Sequence, residues 1–487
     1  MQTSATPIGA GSFKPASSPA HLLLAISLML LLWIATRRWW NIAPEIFLPS
    51  LMGCYSAQLV VRRDLPVVAL LSAAASTFFF PIDPAIRSSG WPLLAVTLTP
   101  GEPGGFTATL KMAIVSAVLI YAGGSAALVF RTARARAWCA YAILGILLAG
   151  FFASGWLAQT TAGPDGMSMS NWVAHEPAWK RYIFDGELYL RVFYRMKSGV
   201  DYYPALADAF LGHAEKTQVP TSVLGWRLPT LFLFWKIFFP SGAALAKGFL
   251  ILGVLSGIMA FLGARALSTA FLAIPVAALV CGYLFVGAVS TWLPIMEYWA
   301  VPISLTALFL FATGRTASAA LPALLAPLIR EVYIFLLLGG LIAVFALRER
   351  RPILAWISAG LGFTVIWVIH YARVKAMIGS VSTSADWLQG GGWRLALGSI
   401  TFSTTAMFNN LFTAVAFAAM GIAGLALIRS RVTRIFALAS TLPLLLVTPF
   451  FGNQWNYYWG ISIMPLVFVG IANLASRAEE KIALPKG

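Results

Sequence analysis

The chain has 487 residues, 59% of them hydrophobic and only 10% charged, with a mean hydropathy of +0.81. That balance excludes an ordinary soluble domain and implies an integral membrane protein. The net charge of +17 does not point to nucleic acid, because polytopic proteins collect Lys and Arg in cytoplasmic turns and no basic run here is interleaved with aromatics on a polar segment.

Apolar windows of helical length recur along the chain, whereas a transmembrane barrel would show short alternating segments. The first twenty residues are polar and lack the pattern of a secretory signal, so 21–36 reads as a retained first span. The predicted spans are 21–36, 42–61, 65–82, 110–130, 138–160, 241–264, 269–288, 299–313, 317–329, 331–347, 353–371, 408–428, 435–451 and 459–475. The expected fold is therefore all-α and polytopic, with about 14 transmembrane helices (12–14). Three regions follow: N-terminal helices of open role over 1–137, a body over 138–371 and C-terminal helices over 372–487.

With the N-terminus in the cytoplasm, Arg62-Arg63, Arg131/Arg134/Arg136, Arg265, Arg315, Arg348/Arg350/Arg351, Arg429/Arg431/Arg434 and Arg477 all fall in short inner turns, as the positive-inside rule expects. Arg37-Arg38 breaks the pattern. Most acidic residues fall on the other side, where the long loops are: 83–109, 161–240, 372–407 and 452–458. An elaborate outer face and a clipped inner face imply that the protein works outside. The expected location is the bacterial inner membrane, with the active site facing the periplasm.

Loop 161–240 reads as short amphipathic helices. Within 184–196, Leu188, Val192 and Met196 form an i, i+4, i+8 stripe, with Asp185 and Tyr189 on a neighbouring face. Leu206 and Phe210 repeat the pattern. The segment LPTLFLFWKIFF (228–239) is too short to span and carries Lys236, so it is expected to lie in the membrane interface.

Chemistry concentrates in few places. DGELYL (185–190) sets Asp185 and Glu187 two residues apart. Arg330-Glu331 interrupts the apolar pair 317–329 and 331–347; ionisable groups at membrane depth cost about 2.5–3.5 kcal/mol each on insertion scales, so they face a partner or a cavity. Arg330 suits a phosphate because its fork binds two oxygens at once. Glu297, in WLPIMEYWAVP, stands at the outer end of a span, either as a helix cap or as a ligand. His370 and Arg373 lie one turn apart, and GNQWNYYW (452–459) offers Trp455 and Tyr458 as a sugar-stacking surface or as an interfacial belt. Asp185, Glu187 and Glu297 could assemble an all-oxygen site for Mg or Mn. His175 and His213 lack zinc-ligand spacing, and Cys54, Cys139 and Cys281 read as small buried hydrophobes.

The order of Asp185…Tyr189, then Gly199-Val200-Asp201-Tyr202-Tyr203-Pro204, then Arg227-Leu228-Pro229 resembles the membrane glycosyltransferases of the GT-C superfamily, in the branch of aminoarabinose and protein O-mannosyltransferases. The family's second acidic residue follows the first directly, whereas Gly186 intervenes here, and Tyr203-Pro204-Ala205 stands where the family has a His-Pro-Pro-like stretch. The resemblance implies a GT-C-like fold and an inverting sugar transfer from a polyprenyl-phosphate donor to a lipid, glycan or protein acceptor. It assigns Asp185 as the base and Glu187 as the alternative, and Tyr189, Tyr203, Arg330, Glu331 and Glu297 match its layout as substrate contacts; His370, Arg373, Trp455 and Tyr458 join them on their own chemistry, as groups that could meet a phosphate or a sugar. A transporter or flippase would instead show related halves and charges near the midplane. An O-antigen ligase or polymerase-like enzyme would carry its large loop late in the chain.

Overall fold

The computed structural model describes residues 133–160, 185–211, 220, 222–288, 293–378, 390, 392–405, 411–452 and 454–483. The described residues are 85% helical and contain no strand, in agreement with the all-α expectation. The predicted spans at 21–36, 42–61, 65–82 and 110–130 lie outside them, as do His175, His213 and the part of the early loop that precedes Asp185.

The first helix, α1 (Ala133–Thr160), is followed by three short ones: α2 (Asp185–Lys197), α3 (Tyr202–Leu211) and α4 (Thr230–Phe238). The body then runs through α5 (Gly242–Leu267), α6 (Ala270–Ala288), α7 (Met296–Ala312), α8 (Ala320–Ile329), α9 (Ile334–Leu347) and α10 (Arg350–Ile378). After it come α11 (Gly392–Thr405), α12 (Leu411–Ala426), α13 (Arg431–Val447), a 3-10 segment over Gln454–Ser462 and α14 (Met464–Ala483).

Local chemistry sets several boundaries. Ser241 caps α5 by accepting from the Ala244 amide at 3.2 Å, and Ser430 caps α13 by accepting from Thr433 at 3.3 Å. Pro327 removes a ladder donor just before α8 ends, and Arg330 follows in extended conformation (φ −149°, ψ 119°). The chain resumes as a 3-10 turn over Glu331–Tyr333 and then as α9. The charged dipeptide thus sits at a break between two short helices that pack on each other.

Among the described residues, two helices, α5 and α10, are each long and apolar enough to cross a membrane; Asn456–Ser462 with Met464–Arg477, bent by 45°, makes a third if the pair is one span. These counts are of the described residues, in which several predicted apolar runs fold as shorter helices. At 1.5 Å per residue, the ten residues of α8 reach about 15 Å, half of a hydrocarbon core. Helix α10 leaves Leu354, Leu361, Val365 and Val368 exposed, a continuous apolar face of the kind a soluble surface avoids and lipid tolerates.

The helices alternate direction. Phe249 near the start of α5 packs on Tyr298 and Trp299 at the start of α7, so these two run parallel. At their other end, Thr433 of α13 donates to the Phe311 carbonyl of α7 at 3.2 Å, and Trp356 of α10 donates to Thr316 at 2.9 Å. Arg265, Arg315, Arg348, Arg350, Arg351, Arg429, Arg431 and Arg434 are carried by the turns and helix ends there. Glu297, Arg330 and Glu331 sit at the opposite end of the same helices, under α2, α3 and α4.

Helix α2 buries the Leu188, Val192 and Met196 stripe, and α3 buries Leu206 and Phe210. In α4, Leu231, Phe232 and Trp235 face inward while Leu233, Phe234, Ile237 and Phe238 are exposed. A short helix with one face anchored by aromatics and an apolar outer face has the form of an interfacial element. Cys281 is buried and unpaired.

Candidate functional site

The loop Trp226-Arg227-Leu228-Pro229 is fixed from several directions. The Trp226 indole donates to the Pro220 carbonyl at 2.8 Å, the Tyr202 hydroxyl donates to the Arg227 carbonyl, and the Leu228 amide donates to Glu331 at 3.3 Å. These bonds hold the Arg227 guanidinium under α2, where its Nε donates to the Tyr189 hydroxyl at 3.1 Å. Burial pushes the Tyr189 hydroxyl well above the usual phenol range against the pull of Arg227, so it stays a neutral donor and acceptor.

Arg330 is the centre of the cluster. It is 1% exposed and uses two nitrogens on two carboxylates: Nε on Glu297 at 2.5 Å and Nη1 on Glu331 at 2.7 Å. Nη2 of Arg330 and Oε2 of Glu297 are buried without a hydrogen-bond partner. Glu297 is held in turn through its backbone carbonyl, which accepts from Tyr333 at 2.9 Å. Arg227 lies close enough to feel the repulsion of Arg330. Two buried guanidiniums side by side demand counter-charge, which Glu297 and Glu331 supply.

Asp185 begins α2, where the helix N-terminus favours an anion. Its Oδ2 accepts from the Tyr458 hydroxyl at 2.8 Å, and Asn456 donates to that hydroxyl at 3.3 Å. Tyr458 also lies within electrostatic reach of Arg227 and Arg330, and Tyr189 within reach of Asp185, Arg330 and Glu297. The structure therefore gathers Asp185, Tyr189, Arg227, Glu297, Arg330, Glu331 and Tyr458 at one end of the bundle.

Glu187 stands apart. At 100° per residue it points about 200° away from Asp185 around α2. There it is 1% exposed and pairs with Arg191, one turn on, at 2.6 Å. Asp185, Glu187 and Glu297 consequently do not gather into a cation cage; among the described residues, no group of three or more His, Cys, Asp and Glu could hold a metal ion. One oxygen of each of Glu187 and Glu297 is already committed to an arginine.

Tyr203 and His370 adjoin the cluster, with buried His370 within electrostatic reach of Glu331 and exposed Arg373 within reach of Tyr203. The Tyr203 hydroxyl lies 3.1 Å from His370 Nδ1, joining α3 to α10, and the His370 ring packs on Trp367. Burial raises the Tyr203 hydroxyl above the usual phenol range, with exposed Arg373 pulling the other way. Trp455 lies on the same 3-10 segment as Tyr458, and its side chain is outside the described ones.

Arg227 has no place among the site residues read singly from sequence, and its signal was its position before Leu228-Pro229. The bond from Tyr458 to Asp185 spans 273 residues, and no local pattern announces it.

No protein-family model, curated protein or solved structure matches the chain.

Proposed function

We propose that the chain is an inverting glycosyltransferase that moves a sugar from a polyprenyl-phosphate donor to a hydroxyl acceptor on a lipid, a glycan or a protein. The reading places the reaction on the outer face of a bacterial inner membrane, since the cluster lies at the end of the bundle away from the arginine-rich turns. GT-C-like topology, with spans beyond the two or three evident ones, is part of the same proposal.

The observation that carries it is the closeness of a half-buried carboxylate, Asp185, to two buried guanidiniums, Arg227 and Arg330: Tyr458 bonds Asp185 and Tyr189 bonds Arg227, and both tyrosines lie within electrostatic reach of both arginines. In the proposed step, the acceptor oxygen attacks the anomeric carbon from the face opposite the phosphate. Its proton passes to Asp185 as the new bond forms. The bond from the anomeric carbon to the phosphate oxygen breaks, and the lipid phosphate leaves with the electron pair. Arg330, with an unused buried donor, and Arg227 receive that developing charge in a site where it is worth more than in water. Glu297 and Glu331 hold the Arg330 fork in place. No step is routed through a metal.

Purified protein in detergent or nanodiscs, offered a panel of labelled polyprenyl-phosphate sugars with mixed acceptors, tests this. Transfer by the wild type and its loss in Asp185→Asn is the expected result. Movement of labelled lipid across vesicles without any transfer would replace the enzyme with a flippase.

A further inference from the structure

The segment after α13 turns sharply at Gly452, whose φ of +95° favours glycine and where a Cβ would strike the Trp459 ring. That turn delivers the 3-10 segment onto α7 and α11 and its bend onto α14. Tyr458 is buried there, with its hydroxyl between Asn456 and Asp185. A tyrosine hydroxyl has one hydrogen to give. The Asn456 amide nitrogen can only donate, so it occupies an acceptor site on the Tyr458 oxygen and leaves that hydrogen for Asp185. The direction of the bond is thereby set: Asn456 to Tyr458 to Asp185.

We propose that Tyr458 is a positioning residue for Asp185, a role that rests on the transfer reading above. A carboxylate at the first residue of a helix can rotate, and a base must meet an incoming hydroxyl within hydrogen-bond reach. Fixing Oδ2 with a charge-assisted bond fixes the plane of the carboxylate and therefore where Oδ1 is presented. Because Tyr458 belongs to the C-terminal helices and Asp185 to the early loop, the bond also ties the orientation of the base to the packing of α14. In place of a sugar-stacking surface, this part of the aromatic stretch 452–459 supplies one buried donor aimed at the base.

The test compares wild type, Tyr458→Phe, Asn456→Ala, Asp185→Asn and the Tyr458→Phe/Asp185→Asn double variant in the transfer assay, with thermal unfolding checked for each. Displacing a catalytic group by about 1 Å costs about 10²-fold, so Tyr458→Phe should lower kcat by about that factor with the donor KM unchanged. Asn456→Ala, which leaves the ring in place, should lower kcat less. In the Asp185→Asn background, Tyr458→Phe should cost nothing further, because the group it positions is gone. A raised donor KM with kcat intact would make Tyr458 a substrate contact and overturn the positioning role. Losses that multiply in the double variant would reduce Tyr458 to a structural residue. Should Tyr458→Phe fail to fold, Asn456→Ala carries the same kcat test alone, and an unchanged kcat there sinks the proposal. If the wild type transfers no sugar from any donor, the enzyme reading falls and this role falls with it. An active wild type with multiplying losses instead overturns the positioning role alone.

Discussion

Around Arg330 the bundle buries guanidiniums, carboxylates and tyrosine hydroxyls; around Trp356, at the other end of the same helices, it buries rings. There Phe311 and Phe436 stack at 4.0 Å with planes 10° apart, Trp356 packs on both, and Gly340 makes room for the indole, since a Cβ there would overlap it. Such ring pairs contribute about 0.5–1.5 kcal/mol each beyond their burial. The polar end gains no comparable surplus, because desolvating the charges offsets most of their attraction. It also leaves Arg330 Nη2 and Glu297 Oε2 unpartnered. One end of the bundle holds the helices together, and the other leaves buried polar atoms unpartnered where the proposed function places the donor's phosphate.

That contrast can be broken by experiment. The largest effect is expected from Asp185→Asn, which should lower transfer by about 10²–10⁴-fold, the usual worth of a general base, with an unchanged melting curve. Next comes Arg330→Ala, which strands Glu297 and Glu331. Breaking a buried pair costs about 3–5 kcal/mol, and a wild-type melting temperature in this variant would contradict the ion network. At the other end, Gly340→Leu overpacks against Trp356 and should destabilise by about 1–3 kcal/mol, while transfer per folded molecule stays at the wild-type rate. A matching loss of kcat in that variant would mean the two ends are coupled. Last comes Glu187→Gln. It should keep transfer within about threefold, since the side chain faces away from Asp185, and lose about 1–3 kcal/mol as a buried charge-assisted bond to Arg191 is weakened. A collapse of kcat in Glu187→Gln with Asp185→Asn active would exchange the two carboxylates.

The helices were legible because apolar runs have few ways to satisfy their backbone in a membrane. The break at Arg330 was legible too, as a charged dipeptide inside an apolar pair. Asp185 and Tyr189, four residues apart, share a side of α2 as the spacing implies, and the same arithmetic sends Glu187 away; reading DGELYL as a pair of carboxylates overlooked that rotation. The length of individual helices was less legible, because an apolar run does not reveal that α8 stops after ten residues. For Tyr458 the sequence offers a sugar-stacking surface or an interfacial belt, since Trp and Tyr at a membrane edge carry the same sequence signal whether they face lipid, a sugar or a buried aspartate. Its partner is set by the packing of the last helices against the first loop, which no window of residues contains.

The 273-residue separation of Asp185 and Tyr458 also has a consequence for biogenesis. A chain that stalls before the 3-10 segment Gln454–Ser462, or is trimmed there by a protease, can insert most of its helices and still present an aspartate without its tyrosine. If the chain is the proposed transferase, half-made molecules would lack an oriented base, and competence would arrive only near the end of synthesis.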